Sequence, residues 1–286
     1  MPANLYALGA IALWTTLAAL GVYLKHVPPF LLTGLALLIG STLALPQVAM
    51  NRQAWRVPPT TLALGVYGLF GFHFLLFIAL RNAPPVQANL VNYLWPLLMV
   101  VLAPAFLPGL KLRAQHVLAA LLGFAGAAIA ILGAGGAAGS GGWSWGYVPA
   151  LASAFIWATY SLLTQRVKAF PTAAIGLFGL VSGALSLLCH WLLEPQVALS
   201  SCDWLLLLAM GMGPLGTAFY LWDKALKLGD ARQIGVLSYL TPLGSTALLM
   251  LVSSRALTWT VGLAALLIVG AAALATRPAS VLASDA

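Results

Sequence analysis

Long apolar runs, broken by short polar or turn-forming stretches, make up most of the chain. A helix that crosses a bilayer needs about 20 mainly apolar residues. Ten runs qualify: 3–24, 28–50, 58–80, 84–107, 114–134, 146–166, 171–193, 203–227, 231–253 and 257–276. The breaks carry turn chemistry or charge, as in Lys25-His26-Val27-Pro28-Pro29, Asn51-Arg52, Ala83-Pro84-Pro85 and Pro108-Gly109. Residues 135–145, within a Gly/Ala-rich run, read as a flexible linker between a first unit, 1–134, and a second, 146–286 with a short tail. The predicted fold class is all-α integral membrane. The first run has no basic segment before it and is too long for the apolar part of a cleavable signal peptide, so it is expected to stay as a span.

Composition sharpens this reading. Of 286 residues, 62% are hydrophobic and 6% are charged, against about 25% charged in soluble domains. That excludes the soluble classes: cytosolic enzyme, nucleic-acid binder, secreted disulfide domain and disordered regulator. The net charge of +8 fits basic residues at helix ends better than an acidic partner. With a cytoplasmic N-terminus, Arg52, Arg56, Lys111, Arg113, Arg166, Lys168, Lys224, Lys227, Arg232 and Arg277 fall inside. Lys25, Arg81 and Arg255 fall outside. The excess on one side predicts both termini in the cytoplasm. Cys189 and Cys202 offer neither a disulfide framework nor metal-ligand spacing and are expected as free thiols, so no metal and no cofactor is predicted.

The chain resembles itself at long range. Shifted by 143, Trp14 meets Trp157, Lys25 meets Lys168 and Pro28 meets Pro171. Shifted by 145, Leu118–Leu122 meets the same five letters at Leu263–Leu267. Shifted by 146, Ala79-Leu80-Arg81 meets Ala225-Leu226-Lys227, and Tyr93-Leu94-Trp95-Pro96 meets Tyr239-Leu240-Thr241-Pro242. Five spans per half is an odd number, so the halves would lie inverted in the membrane. Inverted repeats that rock about a central site are a feature of secondary transporters.

With this repeat and these spans, the chain resembles the drug/metabolite transporter superfamily, in particular its EamA-type ten-helix exporters. Trp14, His73, Asn92-Tyr93-Leu94-Trp95-Pro96 and Trp157 make it most similar to bacterial aromatic amino acid exporters. The resemblance covers essentially the whole chain. It implies ten transmembrane helices in two inverted five-helix repeats and an inner-membrane location. It also implies export of a small amphipathic solute, aromatic or another neutral amino acid, by alternating access.

Depth in the membrane separates the tryptophans. Trp143, Trp145, Trp191, Trp204 and Trp259 fall at outer span ends and Trp55 at an inner one, as an interfacial aromatic belt does. Trp14, Trp95 and Trp157 sit mid-span, where hydrocarbon cannot satisfy an indole N–H. Each therefore lines a cavity or packs between helices; Trp222 is ambiguous. Asn89, Asn92, Tyr93 and Pro96 share one stripe of span four, and Gly235, Ser238, Tyr239 and Pro242 the matching stripe of span nine. Pro96 and Pro242 each remove a helix hydrogen bond and predict paired kinks. Span six adds Ser153, Trp157, Tyr160, Ser161 and Thr164. His73 is either a site residue or a hydrogen-bonded structural one. The expected cavity wall is thus Trp14, His73, Asn92, Tyr93, Trp95, Trp157 and Tyr160, closed by Tyr239.

The acids Glu194, Asp203, Asp223, Asp230 and Asp285 all read as peripheral, whereas exporters of cationic drugs need a membrane-buried carboxylate. An intramembrane enzyme lacks its Ser–His or paired-Asp signature, so no enzyme is expected. The expected partners are a small-molecule solute and the lipid bilayer, with no nucleic acid. One chain holds both halves, so a monomer could be complete. Efflux of cationic or lipophilic drugs and facilitated diffusion of another metabolite stay open as alternatives.

Overall fold

The computed structural model of the chain describes residues 2–135, 143–252 and 259–276. Among the described residues every regular element is helical. Nine helices among the described residues are long and apolar enough to cross a membrane: α1 (Ala3–Tyr23), α2 (Pro29–Met50), α3 (Pro59–Asn82), α4 (Pro85–Phe106), α5 (Ala114–Leu132), α7 (Ala174–Leu193), α8 (Ser201–Leu228), α9 (Ala231–Leu251) and α10 (Trp259–Thr276). Where the sequence predicted a tenth span over 146–166 stands α6, a shorter apolar helix, Tyr147–Leu163. Its 17 residues extend about 25 Å. Most of the predicted linker, 136–142, lies outside the described residues, as do Arg255, Arg277 and Asp285.

Proline-led starts shape several helices. Pro29, Pro59 and Pro85 each open a helix, where a missing N–H costs nothing. Two helices are locally widened into π turns, α3 over Tyr67–Gly71 and α8 over Gly213–Thr217. Two others are broken by a turn, α4 at Tyr93–Leu94 and α9 at Ser238–Tyr239. Pro96 and Pro242 sit in the first turn of the segment that follows each break.

The helices pack in pairs. α2 lies against α7, α5 against α10 and α4 against α9. α1 packs on α8 and α9, and α6 packs on α3 and α4. Close approach depends on small residues, as is usual between membrane helices. A Cβ added at Gly40 in α2 would sit 2.7 Å from the Cα of Gly216 in α8.

Two carboxylates within this apolar body draw partners from distant parts of the chain. Glu194 lies in the connection after α7, where the sequence put it, and its side chain is fully buried. It accepts from the Phe30 and Leu31 backbone N–H groups, from Arg81 and from His190. It so caps the start of α2, which has no capping side chain of its own. Asp223, expected near the inner loop, is also buried, accepting from Lys227 at 2.6 Å and Thr172 at 2.7 Å. Cys189 and Cys202 are free thiols.

Candidate functional site: an indole-floored cavity

A cavity of about 680 Å³ opens in the middle of the molecule, inside the range of roughly 300–1,000 Å³ usual for small-molecule sites. It draws on α1, α2, α3, α4, α5, α6, α8 and α9. It rises from mid-molecule toward Gly21 on α1, Leu80 on α3, Asn89 on α4 and Leu249 on α9. A Cβ at Gly21 would meet nothing within 4 Å, so this end is roomy.

The floor is an aromatic cluster. Trp14 meets Trp157 at 5.9 Å between ring centroids, and Trp95 meets Trp157 at 6.3 Å. Trp222 lies beneath, 5.1 Å from Trp14 and 5.7 Å from Trp95. These tilted and edge-to-face pairings are the ones aromatic quadrupoles favour. The sequence left Trp222 ambiguous; the structure buries it at 1% exposure, its Nε1 donating to the Ser161 hydroxyl. Trp14 Nε1 donates to the Pro214 carbonyl at 3.1 Å. The midplane indoles thus both pack between helices and, for Trp14, Trp95 and Trp157, line the cavity.

His73 also lines it, among the rings of Phe72, Phe77 and Phe219. Its Nδ1 lies 2.6 Å from the Leu69 carbonyl, one helical turn back. A carbonyl only accepts, so Nδ1 carries the proton, and in the neutral ring Nε2 is left as an acceptor. Both readings of this histidine therefore meet in one residue.

The polar walls face each other across the floor. On α4 are Asn89, Asn92 and Tyr93; Asn92 donates to Ser153 of α6 at 2.7 Å, which holds its amide in place. On α9 are Thr241, Ser245 and Thr246. Ser245 donates to the Thr15 carbonyl, whereas the buried Thr241 hydroxyl has no partner among the described residues. Among the described lining residues none is Asp, Glu, Lys or Arg.

Six of the expected wall residues are therefore brought together: Trp14, His73, Asn92, Tyr93, Trp95 and Trp157. Two are placed elsewhere. Tyr160 lies under Trp157, 5.3 Å ring to ring, and fills the space left by Gly68, where any Cβ would overlap its ring. Tyr239 is fully buried and turned away against Gly123 and Phe124 of α5. The break at Ser238–Tyr239 resets the helical phase, so α9 faces the cavity with residues that begin at Thr241. The Thr241, Ser245 and Thr246 hydroxyls, near one another on a helix, were the missed signal.

The belt reading suits the outer tryptophans. Trp143, Trp145, Trp191, Trp204 and Trp259 are exposed. Trp55 is half-buried and donates to the Ala173 carbonyl at 2.9 Å.

Comparison with known proteins agrees with this architecture. The EamA-like transporter family matches residues 1–132 and again 144–277. The chain is 44% identical to the aromatic amino acid exporter YddG of Ancylobacter novellus, over 96% of each chain. It is 30% identical to the YddG exporter of Salmonella typhimurium over 90% of each chain. A crystal structure 43% identical in sequence superposes with a TM-score of 0.89, covering 96% of this chain and 95% of that one. A multi-pass helical membrane protein with an aromatic central cavity and these relatives is a transporter rather than an enzyme, and the chain belongs to the EamA-like transporter family.

Proposed function

We propose that the protein exports aromatic amino acids, and other neutral ones of similar size, across the bacterial inner membrane by alternating access. In this reading ten spans form two inverted five-helix halves, 1–134 and 146–286, with both termini in the cytoplasm.

Several features support the inverted halves. Exchanging each helix with the one five places away turns α1 on α8 into α6 on α3, and α1 on α9 into α6 on α4. The pairs α2 with α7, α5 with α10 and α4 with α9 map onto themselves. The π turns begin at Tyr67 and Gly213, 146 residues apart, the offset of the sequence repeat. The helix breaks at Tyr93 and Ser238 are 145 apart. The family also matches twice, once per half.

The observation that carries the substrate reading is a cavity floored by indoles and walled by amides and hydroxyls, with no charged residue among the described ones that line it. An aromatic ring stacks on Trp14, Trp95 and Trp157. The ammonium and carboxylate are held by His73 Nε2, Asn89, Asn92, Tyr93 and the α9 hydroxyls, and a zwitterion needs no full counter-charge. A cationic drug would need a carboxylate; Asp223 lies off the lining and is already paired with Lys227 and Thr172. The relatives' names point the same way. Pro96 and Pro242 follow the two helix breaks and so mark where α4 and α9 bend. With a cytoplasmic N-terminus, the roomy end faces the periplasm and the conformer is outward-open.

The test is flux in proteoliposomes. Phenylalanine, tyrosine and tryptophan should move faster than aspartate, lysine or a cationic dye. Movement of the dye alone would overturn the substrate class.

A further inference from the structure

At the end opposite the cavity mouth lies a second hollow, of about 350 Å³, bordered by Pro108, Arg166, Gly229 and Asp230. The indole floor separates it from the cavity. Beside it sits Arg232, only 9% exposed although it lies in the first turn of α9. Its Nε donates to both Asp230 carboxylate oxygens at 3.0 and 3.2 Å, and one Nη completes that pair. Its other Nη donates to the Lys111 carbonyl at 2.6 Å. Lys111 lies in the connection between α4 and α5, in the opposite half of the molecule. One guanidinium, held in orientation by its own carboxylate, therefore joins the two halves. Arg166 reaches the Phe106 carbonyl across the same seam, but at 3.5 Å.

The corresponding loop at the other end lacks the Asp230–Arg232 pair, although Arg81 and Glu194 join the two halves there. At the repeat offset of 146, Asp230 corresponds to Pro84 and Arg232 to Val86. These residues can form neither the ion pair nor the cross-half hydrogen bond. The end that carries Pro84 and Val86 is roomy, and the end that carries Asp230 and Arg232 is closed. Burial alone would raise the Asp230 pKa; the hydrogen bonds and charge of Arg232 overcome it and hold the carboxyl below the usual carboxylate range. The Asp230 carboxyl is thus ionised at neutral pH. Charge-assisted bonds of this kind are the stronger class.

We propose that Asp230 and Arg232 form a clasp on the Lys111 carbonyl that holds the cytoplasmic end shut, and that its release joins the inner hollow to the central cavity. The proposal rests on the alternating-access reading above and is independent of which solute is carried. A clasp that merely braced a loop would affect stability alone. A clasp that sets the conformational equilibrium changes which end is open.

The experiment therefore reads accessibility at both ends, with no solute added. Cys189 and Cys202 are replaced by Ser, and a thiol is placed by Ala103→Cys, buried in α4 one turn from the hollow, or by Leu249→Cys, at the cavity mouth. A membrane-impermeant maleimide is applied from each side of oriented vesicles. Arg232→Gln should raise cytoplasmic-side labelling at position 103 about tenfold, the factor that about 1.4 kcal/mol makes in an equilibrium. It should also lower outside labelling at position 249. Unchanged rates, or rates that rise at both positions, overturn the proposal. If Arg232→Gln yields no folded protein, Asp230→Asn decides by the same criteria, because Asn still caps α9 in place of the Asp side chain that accepts from the Arg232 N–H. Flux of any solute is not read, so failure of the clasp and failure of the substrate assignment are separate results.

Discussion

The indole N–H of Trp14 donates to the carbonyl of Pro214, 3.1 Å away and 200 residues along the chain. That carbonyl belongs to the π turn of α8, where i→i+5 spacing disturbs the regular ladder. The bond fixes α1 to the second half at the depth of the cavity floor. Trp14→Phe keeps a ring but removes the indole N–H that this carbonyl accepts. It should destabilise the protein by roughly 0.5–1.5 kcal/mol, read as a lower Tm of the detergent-purified protein.

Trp95 and Trp157 line the cavity, whereas Trp191 is 71% exposed on the outside. Each ring pair contributes roughly 0.5–1.5 kcal/mol beyond area burial. Trp95→Ala and Trp157→Ala should therefore cut flux per folded molecule several-fold or more, while Trp191→Ala leaves it near the parent value. Normal turnover in both cavity variants would remove these residues from the site.

Thr241 offers a cleaner separation of binding from folding. Its hydroxyl is buried, belongs to a cavity-lining residue and bonds to nothing among the described residues. Thr241→Val keeps the shape and deletes a polar atom whose burial is unfavourable. The Tm should hold or rise slightly, and the KM for tryptophan flux should increase several-fold. A lower Tm with unchanged KM would give the hydroxyl a structural role instead.

Glu194 gathers two backbone N–H groups of α2, Arg81 and His190 on one fully buried carboxylate. Glu194→Gln turns one acceptor into an NH2 that faces donors, so a loss of roughly 1–3 kcal/mol is expected. Arg81 is 44% exposed at its side chain and shares the carboxylate with three other donors. Arg81→Gln should cost less than about 1 kcal/mol. Thermal melts of the two variants compare them; equal losses would show that the ion pair, not the helix cap, dominates.

The spans were legible because hydrophobic length is a local property of the chain. The nine long helices follow the predicted bounds to within three residues. Trp14, Trp95 and Trp157 were legible because an indole at mid-span has few places to go. Tyr239 was not, because its side depends on the break at Ser238–Tyr239, across which a 3.6-residue period no longer holds. Tyr160 was not, because its place is set by Gly68 on another helix. The buried Glu194 was hidden for a related reason: its partners begin at Phe30, 164 residues away. Distant pairing leaves no periodic trace.

The loop that reads Ala83-Pro84-Pro85-Val86 at one end and Gly229-Asp230-Ala231-Arg232 at the other bears on resting orientation. In the proposed inverted arrangement the two halves are close to degenerate: facing out and facing in differ little in energy. Small differences between matched loops then lift the degeneracy, and a difference of about 1.4 kcal/mol already makes one orientation tenfold more populated. Gradients decide which way solute flows through such a carrier. Which way the empty carrier waits is decided by a few side chains outside the duplicated core, which can vary between relatives without touching the cavity.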